Sequence, residues 1–435
     1  MSRRTLFGLG LGGAAAGLLT ACAGASTTGA SSGALSFLST QFIPIEERQK
    51  FTAILKNRVT SPAVAFNSVE AGTFATTVTS QVKAGRVSVS LLGGLHGDLA
   101  PHTDRLLDVD DLLGELSDAH FSRQLVDVAK YGGATAKYVP WMQASYVLAV
   151  HKKALQWLPG GVDVHNLTYD QFLSWMTAAK KGAGKPVFGL PAGPDGLYHR
   201  FFQGYLLPSF TGGQVVPFRS PDAVEAWKYM KELWAVSTPA STNYAYMQEP
   251  LSSGEVLVAW DHVARLLDAP AKKPDEWLMV PAPRGPKGLG YMLIVAGLGI
   301  LKKSPRQKEA QDVIKALCTP AAQKDVLREN GFFPTVGGDL PSGLPAAVAM
   351  EADAVSRQQS AKDAIASLPP VGVGTLDGRI SQVFKDCFTL ICLQNKPVQS
   401  SLDQQANKLN ALLKQVKAPC WAPDDTTAGQ TCQVA

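Results

Sequence analysis

The alternation of apolar strands and amphipathic helices between Ala34 and Asp98 constrains this chain more than any other feature. Ala34 to Ser39 (ALSFLS) reads as a short apolar strand, and Glu46 to Lys56 as a helix with Phe51, Ile54 and Leu55 on one face. Val64 to Val69 is a second strand, Phe74 to Ala84 an amphipathic helix stopped by Gly85, and Val87 to Leu92 a third strand. Strands separated by helices at this pitch run parallel, because each crossover helix returns the chain to the end from which it started. The expected class is therefore α/β. Open sheets of this kind bind ligands at the carboxyl ends of their strands. Here those ends are the loops Thr40-Gln41-Phe42 and Gly93 to Asp98.

The first residues are not part of that fold. Ser2-Arg3-Arg4 is followed by an apolar, uncharged run from Leu6 to Ala21, short for a spanning helix, which takes roughly 20 residues. The paired arginines resemble a twin-arginine export signal, and Leu19-Thr20-Ala21-Cys22 resembles a bacterial lipobox. The resemblance implies a signal peptide over 1–21, lipid attachment at Cys22 and an extracytoplasmic location, anchored by lipid to the cell membrane. The Ala-, Gly-, Ser- and Thr-rich segment 22–33 is then a flexible tether.

The 435 residues suffice for about two or three domains, and 46% hydrophobic against 18% charged residues is ordinary for a globular protein. Without Arg3 and Arg4 the chain has 39 basic and 36 acidic residues, a net +3, and no basic cluster interleaved with aromatics; nucleic acid is not an expected partner. An exported chain permits disulfides, and five cysteines follow Cys22, an odd number. Cys420 and Cys432 flank a tail that one bridge would staple. Cys387 and Cys392 lie five apart in an apparent helix, too far for an easy bridge. The connectivity, which also involves Cys318, stays open. His96 and His102 have no third ligand nearby, so no metal and no cofactor is expected.

Lys137 to Leu155 (KYVPWMQASYVLAVHKKAL) runs from an extended Tyr-Val-Pro-Trp into the apolar strand Val147 to Val150. Further on come Thr168 to Ala179, an N-capped helix, and Ser220 to Trp234, a helix with a Ser cap and Pro in its first turn. Gly254-Glu255 leads into a strand ending at Trp260-Asp261, and Pro281 to Gly290 (PAPRGPKGLG) leads into the long apolar strand Tyr291 to Leu301. Thr319 to Gln323 opens a helix that ends at Asn330-Gly331, and the chain from Leu340 to about Lys417 reads as helical. In their order these motifs resemble the extracellular solute-binding proteins, family 1 type, of bacterial carbohydrate ABC transporters. The match covers Ala34 to Val336.

That resemblance implies a two-lobed fold of the type II periplasmic-binding-protein kind, with an interlobe cleft and about three hinge crossings. These fall near Val139 to Ser145, Arg284 to Tyr291 and Gly337 to Leu340. The N-terminal lobe would take 34–138 and 292–336, and the C-terminal lobe 139–291 and 337–435. It also implies a monomer that captures a sugar and hands it to permease subunits, with no catalysis. Hydroxyls call for polar and charged partners, and the apolar faces of a sugar for aromatic planes. The candidates for ligand binding are Gln41, His96, Asp98, Gln143, Asp195 and Asp261 for hydroxyls, and Trp141, Trp260, Tyr291 and Phe333 for ring faces. One rival is a glycoside-processing enzyme using the carboxylates of Asp195 and Asp261. Another is a receptor for a polyamine, phosphodiester or peptide.

Overall fold

The computed structural model describes residues 33–338, 342–424 and 430–435. The expected signal peptide, Cys22 and nearly all of the tether lie outside the described residues, as does the end of the third crossing. Twelve strands are described, numbered in chain order: β1 (Leu35–Ser39), β2 (Val64–Ser68), β3 (Leu91–Leu95), β4 (Val139–Ala144), β5 (Tyr146–His151), β6 (Phe188–Gly189), β7 (Val258–His262), β8 (Trp277–Val280), β9 (Leu289–Met292), β10 (Ile294–Gly299), β11 (Phe333–Pro334) and β12 (Ala364–Ser367). They form a six-stranded sheet in the order β11-β4-β10-β3-β1-β2, a four-stranded sheet β6-β7-β5-β8 and the pair β12-β9.

As the alternation requires, β1 is parallel to both β2 and β3, while β10 is antiparallel to β3 and β4. β3 starts later than expected and takes in Gly93 and Gly94. A Cβ on Gly93 would lie 2.8 Å from the Phe37 ring on β1. Gly93 therefore lets an aromatic side chain lie against the neighbouring strand, and Gly94 leaves room for Asp98 and Leu99, so the pair does not mark a loop. The helix Ile45–Arg58 buries Phe51, Ile54 and Leu55. Phe37, Phe42, Phe51, Phe66 and Trp141 close the first lobe's aromatic core, with the Trp141 ring 5.2 Å from that of Phe51. In the second lobe, Tyr169–Ala183 and Pro221–Val236 start at the expected caps. The Thr168 and Ser220 hydroxyls accept the Gln171 and Ala223 amides.

Two pairs of consecutive strands carry the chain from one sheet to another. Only Ser145 separates β4 from β5, so the chain leaves the six-stranded sheet after Ala144, later than the boundary expected at Val139. The apolar run expected as one strand, Tyr291 to Leu301, breaks at Leu293 into β9 and β10, which belong to different sheets. A buried polar knot ties the two crossings. Ser145 Oγ donates to Met292 O at 2.9 Å and accepts from Gln358 Nε2 at 2.8 Å. The Tyr205 hydroxyl accepts the Tyr146 amide and donates to Tyr146 O, both at 2.9 Å. Each such bond contributes about 1 kcal/mol, and leaving a buried partner unpaired costs about 1–3 kcal/mol. Tyr205 sits in a π-turn, Phe202–Leu206, a widened helical turn that often marks functional positions.

The C-terminal part is not one run of helix. Ala346–Ser360, Asp377–Phe388 and Val398–Val416 are helical, but β12 intervenes and lends its backbone to β9 beside the crossings. Cys420 and Cys432 are bridged, and the free cysteines among the described residues are Cys318, Cys387 and Cys392. The Asp424 carboxylate accepts the amides of Gln214, Val215 and Val216, which fastens the tail to the second lobe. Among the described residues no helix is long and apolar enough to cross a membrane, and no cluster of His, Cys, Asp and Glu is placed to hold a metal ion.

Candidate functional site

The loops that follow β1 and β3 at their carboxyl ends meet on the first lobe. Asp98 Oδ2 accepts the Thr40 hydroxyl at 2.7 Å and the Leu95 amide at 3.0 Å. Burial raises the Asp98 pKa, and these two bonds and Arg200 offset part of that rise. Gln41 Nε2 donates to Thr40 Oγ1 at 3.0 Å. His96 is buried, with Nδ1 2.9 Å from the Tyr138 hydroxyl and its ring stacked on Tyr131 at 4.2 Å. Burial holds its pKa at about 3, so the imidazole is neutral. Phe42 has a φ of +61°, a left-handed conformation rarely adopted by an aromatic residue. Such strain persists only where surrounding packing enforces it. Here the Phe42 ring stacks on Phe51 at 4.5 Å and meets Phe332 edge-on at 5.5 Å.

Arg200 faces this surface from the second lobe. Its Nη1 donates to Gln203 Oε1 at 3.3 Å, and its Nη2 lies 3.8 Å from Asp377. Between Asp98, Gly97, Arg200, Pro370 and Asp377 is a cavity of about 80 Å³. On the other flank, an aromatic path joins the lobes. Trp260 stacks on Tyr146 at 4.7 Å, Tyr146 meets His262 at 5.2 Å, and His262 approaches Phe332 at 6.1 Å. Tyr146 and His262 belong to the second sheet, whereas Phe332 precedes β11 of the first. A third space, a groove of about 600 Å³, lies at the edge strand β11, lined among others by Gln143, Phe333 and Val336 of the first lobe and Val355 and Gln359 of the helix Ala346–Ser360. In the order of the first sheet, β4 and β10, which carry the crossings, stand between that groove and β3 with its Asp98 loop.

The expected residues divide accordingly. Gln41, His96 and Asp98 sit at strand ends, as expected, and Gln143 and Phe333 line the groove, where Gln143 Nε2 donates to Pro334 O at 2.8 Å. Trp141 is wholly buried in the first lobe's core, because its face of β4 is turned to the helix that carries Phe51. Trp260 and Asp261 are both fully buried, but adjacent strand residues point to opposite faces, so they cannot share a wall. Trp260 packs against Phe201 and Tyr205, while Asp261 accepts the amides of Met247 and His262 at 2.8 and 2.7 Å. Burial raises the Asp261 pKa to about 7. Asp195 is exposed in its turn, and Tyr291 is buried in β9. Beside these residues the structure places Tyr146, Arg200, His262, Arg265 and Phe332, which were not among the expected site residues. Tyr146 had a sequence signal in its place just after a crossing; an isolated arginine in an otherwise apolar stretch had none.

A family model described as bacterial extracellular solute-binding protein matches residues 46–324. Among solved structures, maltose-bound MalE3 of T. maritima is 19% identical, with a TM-score of 0.67 over 87% of this chain and 100% of that one. The sugar-binding protein MalE of Xanthomonas citri is 14% identical, with a TM-score of 0.70 over 88% of this chain and 98% of that one. UgpB of Mycobacterium tuberculosis, solved in complex with glycerophosphocholine, is 16% identical, with a TM-score of 0.66 over 88% of this chain and 99% of that one. At such identities the likeness is one of fold. No curated protein matches the chain.

Proposed function

The chain belongs to the bacterial extracellular solute-binding protein family, and from that premise we propose that it captures a neutral sugar or oligosaccharide between its lobes and delivers it to an ABC permease. The small cavity sets the Asp98 carboxyl group of the first lobe opposite the Arg200 guanidinium of the second, which has Asp377 beside it. This opposition is the observation that carries the reading. A hydroxyl accepts from a guanidinium and donates to a carboxylate at the same time, whereas a charged ligand would repel one of the two. Gln41, Thr40 and Asp98 supply polar groups from the first lobe, and Arg200 and Gln203 from the second. Tyr146 and Phe332 offer apolar surface. Closure is a population shift whose size equals what the ligand gains by touching both lobes together.

The reading includes binding without turnover and lipid anchoring through Cys22. A thermal-shift screen over maltose, galactose, glycerophosphocholine and spermidine tests the ligand class. A ligand at about 100 times its Kd stabilises the folded state by about 2.7 kcal/mol. A saccharide that raises the melting temperature and is recovered unchanged supports the proposal. A shift with glycerophosphocholine or spermidine alone overturns it. For the anchor, Cys22→Ala leaves the protein in the soluble fraction; retention of that variant on membranes contradicts lipidation at Cys22.

A further inference from the structure

A second polar patch lies where the lobes meet beside the aromatic path, and its hydrogen bonding is incomplete. Arg265 follows β7 in the second lobe, with its guanidinium carbon 4.1 Å above the exposed Tyr246 ring. That stacking fixes the plane of the group, yet its Nη1 is buried with no hydrogen-bond partner. On the first lobe, Asn330 ends the helix Pro320–Asn330 and is 7% exposed. Its Nδ2 donates to Glu47 O at 3.1 Å, and its Oδ1 is buried without a partner. The amide cannot be turned over to cure this, since its oxygen would then face the Glu47 carbonyl. A Cβ on Gly331, the next residue, would lie 3.5 Å from Ala264 Cβ, so the chain at Asn330 adjoins the chain at Arg265. Burial raises the Glu47 pKa and the Arg265 charge opposes that rise, so the two groups lie within electrostatic reach of each other.

We propose that Arg265, Asn330 and Glu47 form a cross-lobe subsite that binds a hydroxyl pair of the ligand, with Arg265 as its specificity-determining residue. This rests on the carbohydrate reading and assigns a place for one end of the sugar. A buried donor and a buried acceptor left open on opposite lobes each cost stability until a ligand fills them. A hydroxyl satisfies both, accepting from Arg265 Nη1 and donating to Asn330 Oδ1, and a neighbouring hydroxyl donates to Glu47. A phosphate or carboxylate satisfies Arg265 but faces Asn330 Oδ1 with another acceptor and sets a second anion beside Glu47. An ammonium satisfies the two acceptors and repels Arg265. The subsite therefore selects a neutral polyol over the other solute classes.

The test uses whichever saccharide of the thermal screen binds most tightly, and its monodeoxy analogues, titrated calorimetrically into the wild type, Arg265→Gln, Arg265→Lys and Asn330→Ala. The expected result is a tenfold or greater loss of affinity in Arg265→Gln and Asn330→Ala, with the melting temperature of the free protein lowered little or not at all. Arg265→Lys, which keeps the charge and loses the fork, falls between. One deoxy analogue binds the wild type weakly and loses nothing further in Arg265→Gln, since the missing hydroxyl is the one Arg265 holds. Wild-type affinity in Arg265→Gln and Asn330→Ala overturns the subsite while leaving the carbohydrate reading standing. Equal further losses with every deoxy analogue also overturn it, as a sign of general distortion. If no saccharide binds, the carbohydrate reading itself fails and the subsite falls with it.

Discussion

The lobes meet on two flanks of unlike chemistry. On one, Asp98, which accepts the Thr40 hydroxyl, lines a small cavity with Arg200 and Asp377, and the cross-lobe charges stay apart. On the other, Leu327 and Phe333 of the first lobe join Val263, Leu266 and Ala269 of the second in one buried cluster, with Phe332 against His262 alongside. Apolar contact is non-directional and close to indifferent to what else occupies the cleft. It brings the lobes together without choosing a ligand. Charged and amide groups gain only in the right geometry, so on the proposed reading the polar flank and the open atoms of Arg265 and Asn330 do the choosing. The difference separates the work of closing from the work of recognition.

Substitutions sharpen or break that separation. The largest effect is expected at Trp260→Ala, which empties a core position and costs about 3–5 kcal/mol of stability in a urea titration. A loss of affinity with unchanged stability would instead return Trp260 to the ligand wall. Phe332→Ala removes the aromatic link between lobes and is expected to cost about 1–3 kcal/mol. Its ligand-free radius of gyration by small-angle scattering should rise, and an unchanged radius would separate the apolar flank from closure. Asp98→Asn keeps the shape and removes the acceptor charge. A weaker affinity for the saccharide, of about 1–2 kcal/mol, with the scattering profile of the free protein unchanged, places recognition on the polar flank.

A further effect is on the pH profile of stability. Burial holds His262 at about 3, well below its ordinary 6.5. The native state therefore binds fewer protons than the unfolded chain between these values. The stability from this group is full above pH 6.5 and declines as the pH falls toward 3, by at most about 1.4 kcal/mol per unit. His96, also held at about 3, acts in the same sense. Asp261, raised to about 7, acts in the opposite sense, since stability falls as the pH climbs from about 4 to 7. His262→Phe should flatten the acid limb of the profile, and Asp261→Asn should steepen it. Parallel profiles for the two variants would contradict these assignments.

The parallel core was legible because helical and strand periodicities alternate cleanly from Leu35 to Leu95, and the caps at Thr168 and Ser220 act locally. The breaks at Ser145 and Leu293 were not, because a strand that changes sheets keeps its apolar composition on both sides. Gly93 and Gly94 read as a turn since nothing local reveals the Phe37 ring beside Gly93. Site residues were harder still. Trp141 and Trp260 look alike in sequence to any aromatic platform, and only packing tells a core plane from a wall. Phe332 and Phe333 are neighbours, yet one touches the second lobe's His262 and the other lines the groove. Arg265 acquires its role from Asn330 and Glu47, which are distant in the chain.

A crystal structure of the protein with a bound saccharide tests the central claim most directly. The account predicts the sugar between the lobes, with hydroxyls within hydrogen-bonding distance of Asp98 or Thr40 on one side and of Arg200 or Arg265 on the other. A sugar held by one lobe alone, or seated only in the groove beside Gln143 and Gln359, would contradict it.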